Sequence, residues 1–402
     1  MRKLATLAAL LLLSVTTFAA NKSEKSDPLS WSAGNTSAKI GGFVHVVTSV
    51  DFGGAIDNED FIPAYAPVQE KWQSMNQFDI TPSYSQLNLS VTQKSEKLGD
   101  IKGYVEIDFR GVGSTVVRLR HAYLTFMGFI AGQTNSRAMD IAASVATIDV
   151  QGTNLRTLIR TPLISYEYAA KSGFSTAVSL ECPAMLGFTG DYFYSAIDDN
   201  SLASSLAANL GTATQSTPDM ILYLQQRFSN GHIRIGGIYR NLRYHDLVES
   251  TVRRETGYAV QMSGSVNIAK PVKIVAQGIY GVGVARYIND LARIATDLLP
   301  DKNNPGQMVA LPMYGGAVGI TAKLSEKLLL TGNYSIAYLE RGDENTYYPL
   351  LYNHGDYVSA SLFYSCMKNL TFGAEYLFGS HTTLDDSYAQ ANRAQVMVKY
   401  AF

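Results

Sequence analysis

Residues 391–402, ANRAQVMVKYAF, alternate between apolar and polar side chains up to the last position. Side chains of a β-strand point to opposite faces in turn, so such a stretch has one apolar and one polar face. The apolar face carries Val396, Val398, Tyr400 and Phe402, and the polar face carries Arg393, Gln395 and Lys399. A strand of this kind separates an apolar environment from water.

Segments of the same alternating kind recur along the chain. Sixteen are predicted, at residues 39–52, 84–93, 101–110, 116–126, 129–134, 162–170, 173–181, 218–228, 231–243, 254–267, 272–285, 312–324, 328–341, 356–366, 370–382 and 392–402. Tight polar turns such as 229–230 alternate with long connections such as 182–217 and 286–311. This pattern is typical of outer-membrane barrels, which have short turns on one rim and long loops on the other. We therefore predict an all-β, transmembrane antiparallel β-barrel over residues 39–402, with both termini periplasmic.

The two faces of the predicted strands distinguish lipid from lumen. In DIKGYVEIDFR (100–110), the apolar face has Ile101, Val105, Ile107 and Phe109, and the other has Lys102, Glu106, Asp108 and Arg110. A polar face this continuous indicates a wet lumen rather than a dry core. Tyrosines near strand ends fit the aromatic girdles of membrane barrels. Examples are Tyr123, Tyr166, Tyr168, Tyr338 and Tyr400.

The start of the chain resembles a secretory signal. A basic Met1-Arg-Lys is followed by an apolar run and by small residues at Ala19 and Ala20. The run is about half the ~20 residues that a membrane-spanning helix needs. We predict a signal peptide over 1–20, a short periplasmic segment over 21–38, and localisation to a Gram-negative outer membrane.

Composition agrees with a single large barrel. Charged residues make up 17 % of the chain, below the ~25 % of typical soluble domains. Without Arg2 and Lys3, 31 basic residues face 34 acidic ones, a net charge of about −3. Nucleic-acid binders need a strongly basic face, so nucleic acid is not an expected partner.

Strand 116–126 carries two arginines, Arg118 and Arg120, which we expect beside Glu106 and Asp108 of the preceding strand. One interpretation is a wall of salt bridges, and the other is a charged stripe along a permeation path. The two are compatible, because an arginine paired with one carboxylate still has free donors. Simple alternation predicts an outward-facing His121.

Residues 135–160 form a loop that is too apolar between Ile141 and Val150 to extend into water. If it folds back into the barrel, Met139, Ile141, Val145 and Ile148 become buried against the wall. The same fold brings Arg137, Asp140, Asp149, Arg156 and Arg160 to the channel centre. Because a sixteen-stranded barrel otherwise leaves an open hole, the sequence predicts an inward-folded constriction loop.

These residues carry a family resemblance. LGDIKGYVEIDF (98–109), VRLRHAYLTF (117–126), GFIAGQTNS (128–136) and AKIGGFVHVVTSVDFGG (38–54) are similar to the DcaP-like porin family. The resemblance implies a trimeric, sixteen-stranded porin whose arginine-lined eyelet prefers anionic solutes such as dicarboxylates. It assigns Arg118 and Arg120 to the eyelet and residues 132–134 to the start of the constriction loop. The final strand, with Tyr400 and Phe402, also resembles the signature thought to be read by the outer-membrane assembly machinery.

Two other functions remain possible from sequence. A barrel-borne hydrolase is one, although the six histidines form no His-Glu-x-x-His pair and no Gly-x-Ser-x-Gly elbow occurs. A binding or adhesion protein using its long extracellular loops is the other; residues 286–311 show helical spacing, and we expect them to pack over the barrel mouth.

The prediction is a passive diffusion porin for small hydrophilic, preferentially anionic solutes, and not an enzyme. Its expected partners are outer-membrane lipid and lipopolysaccharide, the assembly machinery, small anionic solutes and two further copies in a homotrimer. No catalytic residue, cofactor or metal site is predicted.

Overall fold

The computed structural model describes residues 29–402 except 57–58, 69–70, 112–115, 187–199 and 295–296. The predicted signal peptide and most of the predicted 21–38 segment lie outside these residues.

In the described part of the chain, sixteen antiparallel strands close into a barrel. They are β1 Thr36–Phe52, β2 in two segments Gln77–Thr81 and Gln86–Ser95, β3 Gly99–Asp108, β4 Arg118–Phe126, β5 Phe129–Asn135, β6 Arg160–Ala169, β7 Phe174–Glu181, β8 Asp219–Phe228, β9 Gly231–Asp246, β10 Thr251–Ala269, β11 Val272–Val282, β12 Pro312–Lys323, β13 Leu328–Leu339, β14 Tyr352–Met367, β15 Leu370–Thr383 and β16 Tyr388–Ala401. Each strand pairs with the next, and β16 closes the barrel on β1 with Val398 opposite Val46. Closure leaves no open edge among the sixteen described barrel strands, as a lipid environment requires. The predicted fold class is confirmed.

Smaller elements decorate the barrel. Short strands at Ser30–Ala33 and Leu210–Thr212 pair with β1 and β9, and Leu299–Pro300 pairs with Met308–Val309. The described helices are α1 Asn200–Ala208 and the 3₁₀ turns Pro63–Tyr65, Trp72–Ser74, Ile141–Ala143, Ala285–Tyr287 and Leu291–Arg293. None of these described helices has the length and apolar character needed to cross a membrane.

The predicted alternation of faces holds in β16. Val396 is 54 % exposed on the outer surface, whereas Arg393 is 3 % exposed on the inner side. Aromatic rings cluster near the strand ends on the outside: Tyr314 stacks on Tyr338 with ring centroids 5.0 Å apart. Tyr166 and Tyr168 are also exposed. This arrangement suits an apolar belt with aromatic borders.

A β-bulge between β3 and β4 changes the direction of two side chains. Glu106 pairs with His121 but Ile107 pairs with Leu119, so Arg120 is an extra residue on β4. A bulge sets two residues against one, and simple alternation fails there. His121 therefore faces the lumen, where its ring contacts those of Tyr104 and Tyr123. The predictions of an outward His121 and of Tyr123 in a girdle are wrong for this reason.

The described residues of three long connections fold into the barrel and fill part of it. They are loop A (53–76), loop B (136–159) and loop C (283–311). In loop A, Phe61 packs on Tyr357 of β14, with ring centroids 6.1 Å apart. In loop C, Ile288 and Leu291 are fully buried, as expected for a segment over the mouth, although it forms 3₁₀ turns rather than a helix.

Loop B folds inward as predicted, with one exception among its apolar residues. Met139 and Ile148 are buried, and Val145 is half-buried. Ile141 is 57 % exposed, because it begins a 3₁₀ turn held by Asp140, whose carboxylate accepts the Ala142 N–H. The expected burial of Ile141 is therefore wrong.

Candidate functional site

The second half of loop B is fastened to β13, β14 and β15. The carboxylate of Glu375 accepts the backbone N–H groups of Ile148 and Asp149, both at 2.8 Å. Asn154 donates from its side-chain amide to the Gly355 carbonyl at 2.6 Å, and Thr331 donates to the Ala146 carbonyl at 2.7 Å. Such bonds satisfy backbone groups that would otherwise be unpartnered inside the barrel.

Asp149 itself points toward the wall. Its carboxylate accepts from the Tyr357 hydroxyl at 2.9 Å and from the N–H groups of Gln151 and Gly152. Burial, followed by repulsion from Glu375, raises the pKa of Asp149 to about 7. This predicted site residue is therefore an anchor of loop B and does not line its open side.

The first half of loop B is held by β9 and β10. Asp140 accepts from Ser263 Oγ at 2.6 Å and lies 2.7 Å from His232 Nε2. Arg137 reaches the β6 wall, where it donates to Ser165 and pairs with Glu167 at 3.2 Å. The structure therefore does not bring the predicted residues Arg137 and Asp140 to the channel centre.

Three arginines on the β3–β4 side form ion pairs. Arg118 donates to both oxygens of Asp108, at 3.0 and 2.6 Å. Arg120 bridges Glu106 at 2.7 Å and Asp108 at 2.8 Å. Arg110 pairs with Glu59 at 3.3 Å and also with Asp60, both of loop A. Each of these guanidinium charges is thus balanced by a carboxylate on the wall or on loop A.

These arginines line one side of an opening of about 220 Å³ between the β3–β6 wall and loops B and C. Its lining residues are Arg110, Arg118, Arg120, His121, Asn135, Met139, Ile141, Val150, Gln151, Arg156, Leu158, Arg160 and Arg293. Among the described residues that line it, six are arginines and none carries a carboxylate. Glu106 and Asp108 lie behind the arginines that they neutralise. The opening therefore presents positive charge and apolar surface.

The other three lining arginines have no such balance. Within the part of the chain that the structure describes, no carboxylate oxygen lies within 4.0 Å of a guanidinium nitrogen of Arg156, Arg160 or Arg293. Arg156 comes from loop B, Arg160 begins β6 and Arg293 ends a 3₁₀ turn of loop C. Arg293 donates to a neutral group, the Gln151 amide, at 2.6 Å when the amide oxygen faces it. The uncompensated positive charge of the opening lies on these three residues.

Five predicted site residues therefore meet at the opening, namely Arg110, Arg118, Arg120, Arg156 and Arg160. The sequence prediction missed Arg293 and His121. His121 was hidden by the bulge, and the only sequence signal for Arg293 is a basic residue within the apolar run of loop C.

The sequence of the chain is similar to that of a known protein family. A family model described as "Porin subfamily" matches residues 33–401. A comparison with curated protein sequences gives no match.

Solved structures of outer-membrane channels share the fold. The outer membrane channel DcaP of Acinetobacter baumannii aligns with a TM-score of 0.76 and 20 % identity, over 92 % of this chain and 98 % of that chain. The trimer form of OmpT from Vibrio cholerae gives a TM-score of 0.56 and 16 % identity over 92 % and 100 %. The anion-selective porin from Comamonas acidovorans gives 0.56 and 12 % over 91 % and 100 %.

Proposed function

The chain belongs to the porin subfamily, and from this premise we propose that it is an outer-membrane channel for passive diffusion of small hydrophilic solutes, with a preference for anions. The opening between the β3–β6 wall and loops B and C is its constriction. Solutes cross it down their own concentration gradient, without a cofactor or a chemical step.

The observation that carries this proposal is the set of uncompensated arginines, Arg156, Arg160 and Arg293, in an opening whose described lining residues include no carboxylate. At ~6 Å, one unit charge attracts an anion by about 0.7 kcal/mol in water and by about 3 kcal/mol at an effective dielectric constant near 20. An arginine whose carboxylate partner lies about 4 Å farther away attracts it by only about 1 kcal/mol at that dielectric constant. The unpaired arginines therefore dominate the selectivity.

The shape of the lining supports organic anions, such as dicarboxylates, as solutes. The arginines come from the β3–β4 side, β6, loop B and loop C, so two carboxylates of one solute can meet donors from different elements. Met139, Ile141, Val150 and Leu158 add an apolar surface for the carbon skeleton. Guanidinium groups bind carboxylates with two parallel hydrogen bonds, which favours this class of solute.

The assembly that we propose is a homotrimer with both chain termini periplasmic. The trimer form of OmpT, which shares the fold, supports the trimer. The short turns fall on the same rim as Ser30–Ala33, which supports the orientation. Outward-facing Tyr400 and Phe402 on the β16 side are proposed contacts for the assembly machinery, and the apolar belt contacts lipid and lipopolysaccharide.

The reversal potential of the purified protein in a planar bilayer under a potassium chloride gradient tests this function. We expect stepwise conductance and a reversal potential that is displaced toward the equilibrium potential of chloride. Conductance with cation preference would reject the anion preference alone. Absence of conductance from protein shown to be folded and inserted would reject the channel.

A further inference from the structure

Loop C carries a charge to the opening from a part of the chain far from the other lining residues. Of the six lining arginines, Arg293 is exposed while the others are half-buried. The acid closest along the chain, Asp290, is fully buried, and burial raises its pKa to about 8. Asp290 is therefore mostly protonated near pH 7 and does not cancel the charge of Arg293.

Hydrogen bonds lock this part of loop C to its neighbours. Asp290 donates its backbone N–H to the Asn154 carbonyl of loop B at 2.9 Å. Thr157 of loop B donates from its hydroxyl to the Tyr287 carbonyl at 2.7 Å. Tyr65 of loop A donates from its hydroxyl to the carbonyl of Arg293 itself at 3.2 Å. The backbone at Arg293 is thus fixed from two sides.

A buried ionic network fastens loop C to the barrel wall. The guanidinium of Arg240 on β9 is 0 % exposed and donates to Asp297 at 2.6 Å and to Asp219 of β8 at 3.3 Å. Asp297 also accepts the backbone N–H of Arg286 at 3.2 Å, and the Arg286 side chain donates to Asp219 at 2.9 Å. The network therefore joins β8 and β9 to Arg286 and Asp297, which flank Arg293 along the chain.

We propose that Arg293 is a specificity-determining residue of the channel and that the Arg240–Asp297 pair is the device that positions it. Anion preference is then set jointly by loops B and C, and not by loop B alone. This inference rests on the proposed anion channel. Arg240 never meets the solute; it acts by holding loop C so that the Arg293 side chain stays in the opening.

The test compares chloride-to-potassium permeability ratios and single-channel conductance of the full-length protein for four variants. Arg293→Gln should lower the ratio about threefold or more, the effect of one charge at water-like dielectric. Arg293→Lys should keep most of the ratio. Arg240→Met should lower the ratio to a similar degree and broaden the distribution of conductance values. Arg254→Gln, which removes an exposed charge near the start of β10 outside the opening, is the control and should change neither quantity.

The double variant Arg240→Met/Arg293→Gln separates positioning from general damage. If Arg240 acts through Arg293, the ratio falls no further than in Arg293→Gln alone; an additive fall would overturn the positioning role. Asp297→Asn weakens the same pair and serves in its place if Arg240→Met yields no folded barrel. An anion-selective wild type with an unchanged Arg293→Gln variant would overturn the inference and leave the proposed function intact. A wild type without anion preference would overturn both.

Discussion

Replacing Arg156 and Arg160 together by glutamine should remove most of the proposed anion preference of the channel. Both residues line the opening, and neither has a carboxylate partner among the described residues. Glutamine keeps much of the side-chain length and hydrogen-bonding capacity, so the change is mainly one of charge. Replacement of Arg118 or Arg120 would leave a buried carboxylate without its partner, whereas replacement of Arg156 and Arg160 does not.

The expected magnitude follows from the distance between a solute anion and the two charges. In water-like surroundings, each charge at ~6 Å contributes about 0.7 kcal/mol, so the pair contributes about 1.4 kcal/mol. This corresponds to about a tenfold fall in the anion-to-cation permeability ratio. A drier opening would make the fall larger, and salt would reduce it, since the Debye length is ~10 Å at 0.1 M.

The assay is the reversal potential of single channels under a salt gradient, repeated at low and high ionic strength. Arg227→Gln/Arg254→Gln is the charge-matched control, because both arginines are exposed near strand ends and neither lines the opening. A ratio that falls less than about twofold in Arg156→Gln/Arg160→Gln, or equally in the control, would refute the assignment of selectivity to unpaired arginines.

Other substitutions test the anchors of loop B and the barrel seam. Glu375→Leu leaves two loop B amides unpartnered, at about 1–3 kcal/mol each, and so weakens the attachment of loop B to the wall. It should therefore raise the conductance; unchanged single-channel conductance would argue against this anchor. The pKa of Asp149, about 7 when folded against an ordinary value of 3.8, means that the folded protein retains a proton that the unfolded chain releases. Stability should therefore fall as pH rises from about 4 to 7, and Asp149→Asn should flatten this dependence in thermal unfolding. Arg393→Met, which breaks the buried pair with Asp51 across β16 and β1, should cost about 3–5 kcal/mol in denaturant unfolding, with Arg393→Met/Asp51→Asn costing less.

The strands could be predicted from sequence because one physical requirement acts on every residue of the wall. Each strand separates lipid from a wet lumen, so its side chains alternate, as Arg393 and Val396 do in β16. The prediction failed at β4, where the bulge at Arg120 turned His121 and Tyr123 inward. It also missed the segment Gln77–Thr81, where β2 continues beyond an interruption. A bulge depends on hydrogen bonding between two strands, and the alternation of side chains within one strand carries no information about that bonding.

The charge balance of the site was less accessible to sequence reasoning. The pairing of Arg118 and Arg120 with Asp108 and Glu106 could be expected, because β3 and β4 are consecutive strands. Two other features depend on contacts between residues far apart in the chain. Arg110 pairs with loop A, and Arg293 reaches the opening from loop C. Long-range contacts of loops follow from packing inside the barrel and not from a local pattern.

If the proposed anion preference rests on the loop arginines, the positions of the anchors couple pore size to ion preference. Among the described residues, the lining arginines without a carboxylate partner lie on loops B and C and at the start of β6, whereas Arg118 and Arg120 of the wall pair with adjacent carboxylates. Glu375 fixes the loop that both narrows the barrel and carries Arg156. A variant that frees loop B should therefore lose selectivity as it gains conductance, since the opening widens and the charge moves away from the solute at the same time. A rigid wall that carried its own unpaired charges would behave differently, because its selectivity would survive removal of the loop.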